Sequence, residues 1–219
     1  VILGSNAGAA VMTDDADGTI AIGANALATL TSGARNLAAG YQSSEKLTTG
    51  VDNVAVGYQS LQNHTTGDRN IAIGTQAMYQ TAGDANDAPD SDDCIFIGYQ
   101  AGGGNWADDA KNYQNIAIGN YSQDGVMSAA LNNVSVGHLS LSALTTADNN
   151  VAMGTSAGAV ITTGSDNIVI GAGAGILMTD NNYNTVIGKG AFAAANTGEN
   201  SNVVIGRQAG SAIDDSSAD

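Results

Sequence analysis

Aliphatic and small residues alternate along this chain in short runs, each closed by glycine: IAIG at 20–23, VAVG at 54–57, IAIG at 71–74, VSVG at 134–137 and IVIG at 168–171. Polar stretches rich in Thr, Ser, Asp and Gly separate the runs. Twelve glycines end such a phrase: Gly4, Gly23, Gly40, Gly57, Gly74, Gly98, Gly119, Gly137, Gly154, Gly171, Gly188 and Gly206. Six of the eleven intervals between them are 17 residues and two are 18. A period of two in β-branched residues predicts short strands and argues against helix.

Other columns of the repeat have their own character. Four residues before the glycine stands Asn, at Asn36, Asn53, Asn70, Asn115, Asn133, Asn150, Asn167, Asn184 and Asn202. Three after it is Ala or Ser, seven after it is usually apolar, and near ten after it comes a turn signal such as Thr48–Gly50. A single copy cannot bury its own apolar face, but copies stacked on one another share a continuous core. The pattern therefore predicts an all-β chain, one parallel β-solenoid over residues 1–219, of about twelve 17-residue rungs. Stacking at about 4.8 Å turns the Asn column into an internal amide ladder.

The alternation also predicts what faces out. With the large aliphatics one and three before the glycine taken as core, the residue two before it points away from the coil. That column holds Ala21, Ala38, Ala55, Ala72, Phe96, Ala117, Ser135, Ala152, Val169, Val186 and Val204, none of them charged. A solvated strand face carries polar residues, so this column is expected to be covered by sister copies in a homo-oligomer.

The phrase Asn-[Val/Ile]-Ala-[Val/Ile]-Gly-x-x-[Ala/Ser], with wording such as NNVSVGHLSL at 132–141, resembles the YadA-like heads of trimeric autotransporter adhesins. NVAVGYQS, CIFIGYQAG and LTTG are equally similar to repeat regions of bacteriophage tail fibres. The resemblance covers all twelve copies. It implies a left-handed parallel β-roll, a homotrimer, and an elongated exposed fibre. Its function would be attachment to a host-surface glycan or protein receptor, from a virion or, alternatively, from a bacterial cell surface. A 17-residue period is long for an adhesin head, which favours the tail fibre.

Composition fits a long thin object. There are 29 Gly but two Phe, one Trp and one Pro, too little bulk for one thick core. Six Lys and Arg stand against 21 Asp and Glu, a net charge of −15. That excludes phosphate-backbone binding, which needs clustered cations, and so predicts no nucleic-acid partner. Membrane insertion is not expected either, since no apolar run approaches roughly 18 residues. One cysteine, Cys94, cannot build a disulfide framework or a Cys-based metal site within the chain. The chain opens at Val1 inside a repeat, so it reads as an excerpt of something longer.

Departures from the repeat are where binding is expected, because solenoid insertions fall on loops. One insertion, 78–93, carries DANDAPDSDD with the sole Pro89; its oxygens can be arranged around Ca²⁺ or can form a solvated acidic loop. The acidic Asp14, Asp15, Asp17, Asp214 and Asp215 read the same way. No other cofactor is implied. The second insertion, 102–114, holds Trp106, Asp108, Asp109 and Tyr113, a set suited to stacking on a sugar ring and bonding its hydroxyls. The alternative is that Trp106 folds back into the rod. Tyr41, Tyr58 and Tyr99 share the column after the glycine and form either an aromatic stripe for glycans or a surface cover; Tyr99 joins the candidate ligand residues. Arg35, Asp52 and Arg69 occupy one column with alternating charge, predicting an axial ion-pair ladder. His138 is expected at the surface and His64 inside or at an interface. No nucleophile motif, phosphate loop or spaced carboxylate pair stands out, so the chain reads as a structural and binding protein, not an enzyme.

Overall fold

The computed structural model describes residues 1–10, 13, 16–80, 91–106 and 111–213. Twelve strands carry the repeat: β1 (Ile2–Leu3), β2 (Ile20–Ile22), β3 (Leu37–Ala39), β4 (Val54–Val56), β5 (Ile71–Ile73), β6 (Ile95–Ile97), β7 (Ile116–Ile118), β8 (Val134–Val136), β9 (Val151–Met153), β10 (Ile168–Ile170), β11 (Thr185–Ile187) and β12 (Val203–Ile205). They form one sheet in chain order, every pair parallel. This is a β-solenoid. Like columns pair throughout: Ala55 faces Ala72, and Ile73 faces Ile97 although 24 residues separate them.

Between strands the backbone keeps bonding rung to rung. Leu61 N–H donates to the Ala77 carbonyl at 2.9 Å, and Thr48 N–H to the Thr65 carbonyl at 2.8 Å. A coil this short has to turn sharply, and it does so through left-handed residues at fixed places. Asp52, Gln59 and Leu61 have φ of 59°, 54° and 53° in one rung. The closing glycine is needed for two reasons. Gly57 has φ +137°, which L side chains resist, and a Cβ there would lie 2.5 Å from the Gly74 carbonyl oxygen.

The direction of the strands reverses one sequence expectation. The middle residue of each run points into the coil: Ala21, Ala38, Ala55, Ala72, Phe96, Ala117, Ala152, Val169 and Val186 are fully buried within a single chain, and Val204 is nearly so. They form the core, so none of them can be a subunit contact. The flanking aliphatics turn outward instead. Asn53 is buried, and period two then places Ala55 on its side and Val54 and Val56 on the other. The expectation had set the Asn column and its immediate neighbour both inside, which a strand does not allow.

Small residues line the strand because the coil is narrow. Ala55 lies inside with Leu61, Ser60 and Leu47, and several rungs trade volume between these columns. Where Phe96 replaces alanine, Gly102 replaces the leucine four after the closing glycine; a Cβ there would sit 2.4 Å from the Phe96 ring. Val169 is matched by Gly175 and Val204 by Gly210 in the same way. Val186 and Phe192 are both large, and the rung compensates with Ala195 where its neighbour has Met178. Interiors packed to this density do not accept one extra methylene without adjustment.

The amide ladder forms as the spacing predicts. Each Asn side-chain oxygen accepts from the next Asn, as Asn53 Oδ1 does from the Asn70 backbone N–H at 2.9 Å and from Nδ2 at 3.2 Å. Each Nδ2 also caps the turn carbonyl of the following rung, Asn53 to Gly67 at 2.8 Å. One run links Asn36, Asn53 and Asn70 and ends on the Cys94 N–H. The other links Asn115, Asn133, Asn150, Asn167, Asn184 and Asn202.

Candidate interaction surface

The outward strand residues make a face of two aliphatic ridges. Ile20, Val54, Ile71, Ile95, Ile116, Val134 and Val151 stand on one ridge, half-buried by their neighbours; Ile22, Ile73, Ile118 and Met153 stand on the other, 41%, 37%, 39% and 44% exposed. Ile168 is 41% exposed and Val203 and Ile205 are more open still. Twelve strands at about 4.8 Å make this face on the order of 55 Å long. An unbroken apolar strip of that length is unusual on a free surface, where large patches mark association.

Beside it, the column after the glycine carries exposed aromatics. Tyr41 and Tyr58 stack with centroids 5.5 Å apart and planes 11° from parallel. Thr75 interrupts the row. Tyr99 then meets Tyr121 edge-on at 5.2 Å, and Tyr121 meets exposed His138 at 6.1 Å. The rings form two patches and no continuous stripe. Next to them a glutamine ladder, Gln42, Gln59, Gln76 and Gln100, hands one amide bond per rung from Nε2 to Oε1 at 2.9–3.1 Å. A glutamine or tyrosine at these columns therefore strengthens stacking as well as covering the rod.

The second insertion is not the aromatic platform its sequence resembles. Trp106 is 2% exposed and packs inside, its ring centroid 5.7 Å from Phe96 and its backbone N–H bonded to the Gln80 carbonyl. It fills the interior slot that leucine takes in a regular rung, so the fold-back alternative holds and stacking of a sugar on Trp106 is excluded. Asp108 and Asp109 lie outside the described residues, as do residues 81–90 of the first insertion, with Pro89, and Asp14, Asp15, Asp214 and Asp215. The described end of that insertion is engaged: Asp92 Oδ1 accepts from the Asp68 N–H, and Asp93 pairs with Arg69. Among the described residues no group of three His, Cys, Asp or Glu is placed to hold a metal ion. No helix among them is long and apolar enough to cross a membrane.

The charged column forms pairs, not a ladder. Arg35 Nε and Nη2 grip Asp52 at 2.6 and 2.7 Å. Arg69 turns from Asp52 to Asp93, at 2.6 Å. The arginine hydrogen bonds hold both carboxyls below their ordinary range. These pairs are exposed and add little stability, though they fix register.

Three buried groups depart from the repeat. His64 occupies a leucine column, fully buried, with Nε2 3.1 Å from Asn70 Nδ2. Cys94 stands in the Asn ladder with Sγ 3.3 Å from the Asn112 carbonyl, and burial pushes its thiol up to about 12. Asp124 is half-buried beside the second insertion; burial pushes its carboxyl up to about 6, against the lowering bond from Gly103 N–H.

A shallow pocket of about 220 Å³ lies on the flank of the sheet, lined by Asp93, Tyr113, Gln114, Leu131 and Asn132. Of the sequence-predicted ligand residues it includes Tyr113 and leaves out Tyr99 and Trp106. Nothing in the repeat pattern marked Gln114, Leu131 and Asn132; the available signal is the column six before the glycine, where Tyr113 and Leu131, like Ala34 and Val51, depart from a series of Asp, Ser and Asn. No family model, curated protein or solved structure matches this chain.

Proposed function

We propose that the chain is the rod of a homotrimeric attachment fibre, in a virion tail, with the head of a bacterial trimeric adhesin as the alternative. The observation that carries this is the aliphatic face running from Ile22 to Ile205 with no covering segment among the described residues. Association through it removes apolar area at about 25 cal/mol per Å². Identical chains are the partner this face fits, because its rungs repeat at the spacing of the neighbour's rungs and the same side chains recur along it. The number three is what the likeness to tail fibres and adhesin heads implies. The acidic surface keeps separate rods apart, and the work is mechanical: to hold receptor contacts at a distance from the particle.

Mass in solution by light scattering tests the assembly. The expected value is three chains, falling to one folded chain when Ile73 and Ile118 are both replaced by Lys. A monodisperse single chain for the unaltered protein would end the proposal. Immunogold labelling of phage particles against bacterial envelopes then separates tail fibre from adhesin.

A further inference from the structure

The geometry points to a binding site for one neutral sugar ring in the pocket formed by Tyr113, Leu131, Asp93, Gln114 and Asn132. This inference deepens the attachment reading above by naming a ligand class and a place.

The pocket coincides with a break in a structural device. In the column six residues before the closing glycine, six side chains carry an oxygen that caps the N–H of the same column one rung earlier. Asp68 caps Val51, Asp92 caps Asp68, Asp148 caps Leu131, Ser165 caps Asp148, Asn182 caps Ser165 and Asn200 caps Asn182, all at 2.6–3.0 Å. Tyr113 and Leu131 sit in this column and, like Ala34 and Val51, offer no such acceptor, but they alone replace it with a large side chain beside a pocket. The chain gives up two caps on successive rungs and gains two apolar walls.

Polar groups above those walls face solvent, with Gln114 and Asn132 exposed. In the adjoining column Arg35 is held by Asp52, Arg69 by Asp93, and Asn149 by Asp166. Among the described residues the side-chain amides of Gln114 and Asn132 and the Tyr113 hydroxyl have no hydrogen-bond partner. Each amide offers donor and acceptor together, and Asp93, although paired, keeps lone pairs to accept a hydroxyl. An aromatic ring and a leucine facing a rim of amides and one carboxylate match a pyranose, with its apolar C–H face and equatorial hydroxyls.

Size and charge narrow the class. About 220 Å³ is below the range of roughly 300–1,000 Å³ for drug-sized ligands, so one ring fits and an oligosaccharide extends outside. Arg69 is already neutralised by Asp93, and Lys111, with Nζ 5.5 Å from the Tyr113 ring centre, is held against the wall. With a net charge of −15 around it, the pocket disfavours anionic sugars.

The test is saturation-transfer NMR on the full chain with methyl β-glucopyranoside, methyl β-galactopyranoside and methyl N-acetyl-β-glucosaminide. Transfer to ring C–H protons of at least one is expected, weakened about tenfold by Tyr113→Ser. Serine is the natural occupant of that column at Ser165, so the rung has a precedent. Leu131→Ser serves as a second variant, and Tyr41→Ser should leave transfer unchanged. No transfer from any of the three glycosides, or equal transfer in folded Tyr113→Ser and Leu131→Ser proteins, would overturn the site. Light scattering on the same samples keeps the two readings apart: a trimer without transfer removes the pocket alone, and transfer to a monomer removes the fibre alone.

Discussion

Asn150 Oδ1 accepts two hydrogen bonds from Asn167, one from its backbone N–H and one from its side-chain Nδ2, both at 3.0 Å. Asn150 Nδ2 meanwhile donates to the Gly164 carbonyl at 2.8 Å. Each asparagine therefore satisfies groups on two rungs inside a buried coil. Asn150→Ala leaves a buried N–H and a buried carbonyl unpaired, at about 1–3 kcal/mol each. The loss of denaturant midpoint should exceed that for Asn202→Ala, which stands at a half-buried end of the ladder.

Cys94 interrupts that ladder, and Cys94→Asn should mend it. The new Oδ1 can accept from the Asn115 N–H and the new Nδ2 can donate to Asn70 Oδ1, contributing about 1 kcal/mol. A higher denaturant midpoint is expected. In the unaltered protein the buried thiol, pushed up to about 12, should react with a thiol reagent only as fast as the chain opens. Fast stoichiometric labelling of native protein would contradict the burial.

Gly57→Ala and Gly173→Ala separate backbone strain from stacking contact. At Gly173 a Cβ meets nothing within 4 Å and only the left-handed φ of +64° is penalised, about 1–2 kcal/mol. At Gly57 the Cβ strikes the Gly74 carbonyl as well, so the rung has to part from its neighbour. A loss above about 3 kcal/mol, or failure to fold, is expected there.

Asp124 gives the rod a pH dependence of known sign. Its folded value, about 6, lies above the unfolded value near 3.8. Its contribution is thus fully present below pH 3.8 and lost as pH rises through 6. Allowing for its half-exposed position, the loss is about 1–2 kcal/mol. Melting curves from pH 4 to pH 8 should show the Asp124→Asn variant gaining on the unaltered chain between pH 4 and about 6, with no further gain above. Parallel curves would show that the carboxyl is not desolvated.

The proposed association face is tested most directly by charge. Ile118→Lys places an ammonium on the outer ridge, where a covered site would desolvate it and a solvated one would not. Dissociation without unfolding is the expected outcome, read by light scattering and circular dichroism. Ala117→Lys, one residue away and inside the coil, should instead prevent folding.

That pair of neighbours also shows what could be read from sequence. Strand positions, parallel stacking, the Asn ladder and the need for glycine at each closing position all follow from column identities at a fixed period. Which side of the strand faces inward did not, because size pointed the wrong way: Ile116 and Ile118 are larger than Ala117 but lie outside, while Ala117 belongs to the buried cluster with Met127 and Leu141. The Asn column held the answer, as a buried Asn115 fixes the parity of Ala117. Sequence leaves the place of Trp106 open between loop and interior for a related reason. Its slot, one residue past a leucine column, looks like loop until the longer rung is seen to swing it inward.

Ile73 pairs with Ile97 across 24 residues as faithfully as Val54 pairs with Ile71 across 17. The sheet therefore keeps no memory of how much chain runs between its strands. Each turn behaves as a cassette whose outer loop can be lengthened while the rows of side chains above and below stay aligned, so that length is absorbed at the edge and leaves the spine untouched.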